Sequence, residues 1–286
     1  MTCSRRDFGK LALAAPLAAA VPKAFAKIDS VFSGVTIGAQ TYSFRDRPLD
    51  ECIAAMKEIG LGSAELWQGH LEPKARDQVK AWRANPPMDE IAGVRKKFDA
   101  AGIEIYAFNY SFRDDFTDDE IEKGFEMARA MGVRRITASS NVDISPRVDK
   151  FAQRFKIPVA FHNHDSMRPN EFSTPDDWKK AMDGRSQYIA INLDIGHFTA
   201  ANFDPVSFIE EHHARIVTLH IKDRKKNHGA NMPFGQGETN IKGVLQVLKT
   251  KKYRIPAMIE YEYGKPGLDT VTEVRKCFEY CKEALA

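Results

Sequence analysis

Charged and imidazole side chains recur at the ends of four successive apolar runs. Phe161-His162-Asn163-His164-Asp165 comes first, with Glu171 shortly after it. Leu193-Asp194-Ile195-Gly196-His197, Leu219-His220-Ile221-Lys222-Asp223 and Ile259-Glu260-Tyr261-Glu262 follow. Four of the eight histidines (His162, His164, His197 and His220) fall in these short windows. Singly, each residue has a plain structural explanation: a histidine satisfied in the core, Asp194 capping the turn before Gly196, Glu260 as a charged strand terminus. Coincidence at four successive run ends is harder to explain that way. Carboxylates and imidazoles brought together in this mix suit a divalent cation.

The elements around these windows must bring them together. Short β-branched and aromatic runs alternate with longer amphipathic stretches. Strands are expected over Val35–Ser43, Ala64–Trp67, Ile103–Tyr110, Arg135–Ser139, Pro158–Asn163, Ile189–Asp194, Ile216–Ile221 and Ile255–Tyr261. Helices are expected over Leu49–Ile59, Ile91–Ala101, Asp118–Met131, Ser145–Phe155, Pro175–Met182, Pro205–His212, Ile241–Lys249 and Leu268–Leu285. Gly60 and Gly102 mark helix stops and Thr174 an N-cap. The strands read as nearly continuous apolar runs, the pattern of parallel strands covered by helices. Eight strand-then-helix units over roughly 250 residues predict a single α/β domain, a (β/α)8 TIM barrel. An open doubly wound sheet would gather its polar residues at one switch point, whereas here they end many strands. No G-x-G-x-x-G and no P-loop is present. The stretch from His70 to Asp89 is expected to be a loop excursion over the barrel mouth.

In a TIM barrel the strand ends surround one pocket, and there the four windows resemble a family. Together with Gly235-Gln236-Gly237-Glu238, which is similar to a glycine loop after the seventh strand, they look like the xylose-isomerase-like sugar phosphate isomerase/epimerase superfamily. The resemblance runs from about residue 34 to 284. It implies one divalent metal held by a carboxylate after strand five, an Asp at strand six, a His at strand seven and a Glu at strand eight. Carried over, these are Glu171, Asp194, His220 and Glu260, with His197 on a substrate oxygen. Many members have a Glu where His162 stands, and Ser166 to Asn170 lengthens the step to Glu171, so His162 is the alternative ligand. The metal is Mn²⁺, Mg²⁺, Co²⁺ or Zn²⁺, with the choice open.

Such a site polarises a sugar carbonyl and stabilises the enediolate formed when the adjacent carbon loses a proton. His162, His164 and Glu260 are the candidate bases. Lys222 and Glu65 are further substrate-binding candidates; Glu65 reads equally as a residue of the barrel mouth or a structural charge. Returning the proton elsewhere gives isomerisation or epimerisation. Expelling a β-substituent gives a 3-keto-glycoside lyase or hydrolase. A non-catalytic periplasmic sugar-binding protein and an endonuclease-IV-like barrel are the rival classes.

Residues 1–26 are set apart as an export signal, and residues 27–286 as the barrel. Ser4-Arg5-Arg6-Asp7-Phe8-Gly9-Lys10, the apolar run Leu11 to Val21 and Ala24-Phe25-Ala26 resemble a twin-arginine signal with a cleavage site. The expected partner is therefore the twin-arginine export machinery, and the expected location the periplasm, with no membrane span after signal removal. The 286-residue chain has 42 Lys+Arg and 39 Asp+Glu. Cleavage removes Arg5, Arg6, Lys10, Lys23 and Asp7, leaving 38 of each sign. A neutral domain lacks the basic footprint of a nucleic-acid binder. Periplasmic chemistry favours a free sugar, keto-sugar or glycoside over a sugar phosphate. Cys52, Cys277 and Cys281 form no C-x-x-C and no disulfide framework; Cys277 and Cys281 are expected to pack as small apolar groups.

Overall fold

Eight parallel strands close on themselves in chain order. They are β1 (Val35–Gln40), β2 (Ser63–Trp67), β3 (Glu104–Asn109), β4 (Ile136–Ala138), β5 (Val159–His162), β6 (Ile189–Asp194), β7 (Ile216–Ile221) and β8 (Ala257–Ile259). β8 pairs with β7 on one side and with β1 on the other, where Ala257, Met258 and Ile259 sit opposite Ile37, Gly38 and Ala39. The expected (β/α)8 barrel is the architecture of this computed structural model, which describes residues 26–264 and 267–286. Every residue of β6 is buried, as expected of a parallel strand covered by side chains within and helices without. The 1–26 signal lies, except for Ala26, outside the described residues. Among those described, no helix is long and apolar enough to cross a membrane.

Ten helices are described: α1 (Leu49–Ile59), α2 (Arg76–Ala84), α3 (Met88–Ala101), α4 (Asp118–Ala130), α5 (Ser145–Phe155), α6 (Pro175–Met182), α7 (Ile195–Ala200), α8 (Pro205–His212), α9 (Ile241–Lys251) and α10 (Thr270–Leu285). α1 and α3 stop at Gly60 and Gly102, both left-handed at φ 95° and 76°, where a side chain would be strained. Thr174 caps α6; the Asp177 carboxylate accepts from its N–H at 2.7 Å and its hydroxyl at 2.8 Å.

Two expectations are corrected. The His70–Asp89 stretch is no plain loop, because α2 occupies its middle. Its side of the cleft is pinned by Glu72, which accepts from Arg83 Nε at 2.7 Å, and Arg83 lies over the Phe116 ring at 5.0 Å. The strand expected over Val35–Ser43 stops at Gln40, where a tight 3₁₀ turn over Thr41–Phe44 carries the chain out of the barrel. That turn puts Tyr42 at the barrel mouth.

Candidate metal centre

The barrel register sets four side chains on one point. His162 ends β5, Asp194 ends β6 directly opposite His220 on β7, and Glu260 follows β8. One ligand atom from each lies within 4.8 Å of all the others. His162 Nε2 is 3.5 Å from Asp194 Oδ2 and 3.9 Å from Glu260 Oε2, and His220 Nδ1 is 3.3 Å from Glu260 Oε2. All four side chains are buried, and these four atoms are without a hydrogen-bond partner. Buried polar atoms left unpaired cost free energy unless something else satisfies them. Two imidazole nitrogens and two carboxylate oxygens converging in this way fit a borderline divalent cation.

Neighbouring groups aim each ligand atom. The second oxygen of Asp194, Oδ1, accepts from His197 N at 2.7 Å and caps α7. Asp194 therefore caps the turn before Gly196, as a purely structural reading requires, while Oδ2 remains free for the cluster. Asn163 clamps the Asp194 backbone, accepting from its N–H at 2.8 Å and donating to its carbonyl at 3.2 Å. On the far side of the His220 ring, Nε2 faces both Glu65 oxygens at 2.9 and 3.0 Å. Glu65 also accepts from Gln40 Nε2 at 3.0 Å and Thr137 Oγ1 at 2.7 Å. It is fully buried behind His220 rather than lining the cleft. This carboxylate–imidazole arrangement commonly orients a metal-binding histidine. Burial opposes charge on His220, but Glu65 and Glu260 hold it well above its ordinary value.

Lys222 stands at the rim. Its hydrogen bonds run to Glu262 Oε2 at 2.6 Å and His197 Nε2 at 3.0 Å. Its ammonium is also 2.8 Å from Glu260 Oε2 and 3.1 Å from Asp194 Oδ2, which balances charge without hydrogen-bond alignment. Burial raises both carboxyls' cost of ionising, yet Lys222 holds Asp194 and Glu260 below their ordinary values. Gly196 makes the approach feasible: a Cβ there would lie 2.7 Å from Lys222 Cγ and 2.8 Å from its carbonyl oxygen. Asp223, next in the chain, accepts from Gly235 N at 2.8 Å, Gly237 N at 2.9 Å and Thr239 N at 3.2 Å. The Gly235-Gln236-Gly237-Glu238 loop is thus folded around a carboxylate.

His164 lines the cleft, edge-on to His162 at 4.9 Å and to His197 at 5.3 Å between ring centres. Burial, reinforced by the neighbouring imidazoles and Lys222, pushes it down to about 3, so it is neutral at any ordinary pH. Glu171 lies outside the cluster: its carboxylate accepts from Ser166 Oγ and stands 3.8 Å from Arg168. The longer Ser166–Asn170 step carries it away, and His162 occupies the strand-five corner. His70 instead reaches Thr41 O at 3.1 Å. Asn163, Asp165 and Arg224 are among the site-building residues to which the sequence assigned no part, although the first two stand inside a quoted motif.

A cleft of about 930 Å³ opens above the cluster. His164, His197 and Lys222 line one side of it; Tyr42, Trp67 and the Arg76, Lys80 and Arg83 edge of α2 line the other.

The chain belongs to the xylose isomerase-like TIM barrel family, which it matches over residues 53–283. Relatives in sequence include the L-ribulose-5-phosphate 3-epimerase UlaE of Escherichia coli, 30% identical over 93 residues. That match spans 32% of this chain and 32% of the enzyme, about a third of each. Among solved structures, the apo 3-keto-D-glucoside 4-epimerase YcjR from E. coli superposes with a TM-score of 0.66 at 14% identity, covering 87% of this chain and 99% of that one. The IOLI protein with a bound zinc superposes at 0.63, also at 14% identity, covering 88% and 96%. At such identities the structural likeness is one of fold.

Proposed function

We propose that the protein is a metal-dependent isomerase or epimerase of a non-phosphorylated sugar or keto-sugar, acting by removal of a proton next to a carbonyl. The observation that carries this reading is the set of four buried ligand atoms, none with a hydrogen-bond partner, at the floor of an open cleft. Asp194, His220 and Glu260 are the ligands the family resemblance implies, with His162 in place of Glu171. A divalent cation there supplies Lewis acidity toward the carbonyl and charge for the oxyanion that forms beside it. His164 or Glu260, both of which line the cleft, takes the proton from the carbon. His197 and Lys222 bind substrate oxygens. Returning the proton to the opposite face of the same carbon gives the epimer; returning it to the neighbouring carbon gives the isomer. The twin-arginine-like start supports a periplasmic, unphosphorylated substrate.

The cleft volume favours a second reading, in which the substrate is a keto-glycoside and the aglycone leaves. At about 930 Å³ it stands near the top of the ~300–1,000 Å³ range of small-molecule pockets, roomier than one sugar ring requires. Incubating metal-loaded protein with free ketoses and 3-keto-glucosides in deuterated water separates the two. Deuterium on a sugar carbon with the glycosidic bond intact supports the epimerase; aglycone release supports the lyase or hydrolase. Tight sugar binding with neither outcome would sink both and leave a binding protein.

A further inference from the structure

The charges of residues 27–286 balance in number but not in place. In a (β/α)8 barrel every turn from a helix back to the next strand lies at the end opposite the cleft. Here those turns carry Arg134 and Arg135 before β4, Lys156 before β5, Arg185 before β6, Arg215 before β7, and Lys252 and Arg254 before β8. Asp183 is the one carboxylate among them. Seven cations against one anion leave the rest of the balanced domain with 31 basic and 37 acidic side chains.

Helix C-termini attract cations, which accounts for Lys156 and Lys252, the C-caps of α5 and α9. Arg134, Arg185 and Arg254 stand two or three residues past the caps. All three are exposed, and none pairs with a carboxylate among the described residues. Between the ends of α4 and α5 the same end has a hollow of about 550 Å³, lined by Arg129, Arg134, Arg154 and Lys156 and by no carboxylate. The Arg129 and Arg154 guanidiniums lie against the Phe155 ring at 5.4 and 5.0 Å, and Arg154 also pairs with Glu122. A guanidinium stacked on a ring keeps its in-plane N–H donors for an anion such as a phosphate.

The chain enters the barrel at this end. Ile28 N–H donates to Gly102 O at 2.8 Å and Gly62 N–H to Ser30 Oγ at 3.1 Å, and the two glycines sit in the turns before β3 and β2. A Cβ on Gly62 would lie 2.0 Å from Ile28 O, so the entering strap needs glycine beneath it. Ala26 is thereby held at the basic end, five residues after the apolar run Leu11 to Val21. Five extended residues reach at most about 18 Å. A bilayer that holds the apolar run therefore meets this end of the barrel first.

We propose that the basic end is a docking surface for an anionic phospholipid bilayer, on which the folded chain sits with its cleft facing away and open to soluble substrate. The choice of a membrane rests on the export signal expected at residues 1–26; the charged face does not.

The test uses protein starting at Lys27, whose barrel closes between β8 and β1, so that no signal is present to bind lipid. Its sedimentation with vesicles of phosphatidylcholine and phosphatidylglycerol is compared with sedimentation with phosphatidylcholine alone. Binding should need the anionic lipid and weaken as salt is raised, and inorganic phosphate at matched ionic strength should not release it further. Each cation near an anionic surface contributes about fivefold in affinity, so Arg134→Glu combined with Arg254→Glu should weaken binding by at least about 25-fold, with unchanged circular dichroism. Lys74→Glu combined with Lys226→Glu makes the same change of net charge in exposed residues at the cleft end, and should bind like the parent. Equal loss in both pairs, specific release by phosphate, no binding to anionic vesicles, or tighter binding to duplex DNA than to them would overturn the proposal. Vesicle binding by a chain that cells do not export would sink the export reading and leave the lipid-binding face intact.

Discussion

At the scale of single residues, the cluster makes sharp demands. Asp194→Asn and Glu260→Gln each replace a charged ligand with a neutral amide, and both variants should lose bound metal and turnover together, as read by metal analysis of the purified protein. His162 carries more information. Its Nε2 is one of the four converging atoms while Nδ1 faces Ser139 Oγ at 3.4 Å, so His162→Ala should also lose metal. Metal retained with turnover lost would make His162 a base instead. Glu65→Gln keeps the shape behind His220 but removes the charge that orients the ring, and chelator competition should show metal affinity lower by about 10–100-fold. Much of this site was legible in the sequence because its residues end strands, and strand ends in a barrel share a pocket. Glu65 was visible only as an ambiguous charge. A buried carboxylate in the middle of one strand and a histidine 155 positions away meet only through closure of the barrel, which no local pattern records. Asp165 was hidden for a similar reason: its partners, His197 and Arg224, arrive from α7 and from the segment after β7.

The secondary-structure elements were read best where a periodic apolar face coincides with clear ends. α1, α5, α6 and α8 begin and stop at the residues their sequence pattern predicts. β8 came out shorter than its apolar run, Ala257–Ile259 against Ile255–Tyr261, since Pro256 has no N–H for the ladder. α2 was missed because it is mostly polar and is bounded by Pro86, so its segment reads as a loop. What secures it is tertiary: the Arg83–Glu72 pair, with side chains only 8% and 10% exposed, and the stacking of Arg83 over the Phe116 ring. Arg83→Ala would leave Glu72 enclosed without its cation, a change that costs about 3–5 kcal/mol in buried pairs. Hydrogen exchange should then quicken over 76–84 while the barrel strands keep their protection; uniform quickening would mean that α2 is not a separable wall of the cleft. Cys277 and Cys281 lie unpaired and buried in α10, and Cys52 likewise in α1. Burial pushes the Cys52 and Cys277 thiols up to about 12 and raises Cys281 well above its ordinary value. The reactive thiolate is thus scarce at pH 8, and a thiol reagent should label none of the three in native protein and all of them after denaturation.

At the scale of the whole molecule, the charge balance connects sequence to place. Removal of residues 1–26 leaves 38 basic and 38 acidic side chains. The +3 of the full chain therefore resides in the start, where Arg5 and Arg6 precede the apolar run Leu11 to Val21. The barrel has no need of that segment to close, because β8 pairs with β1 and seals the sheet from residue 35 onward. A barrel complete without its first 26 residues can fold before export, which is the condition under which a twin-arginine route is useful, and folding before export also lets the metal be chosen inside the cell. We accordingly propose that the chain crosses the membrane folded and matures at Lys27. Arg5→Lys combined with Arg6→Lys keeps the positive charge but removes the arginine pair, and should leave folded precursor in the cytoplasm while the periplasmic fraction loses the protein. Mature protein starting at Lys27 in the periplasm of the double variant, at undiminished yield, would show that charge alone suffices and would replace the twin-arginine route with general secretion of an unfolded chain. In that case the barrel would close, and the His162, Asp194, His220 and Glu260 cluster would meet its cation, only after translocation, so periplasmic metal supply would decide which ion it holds.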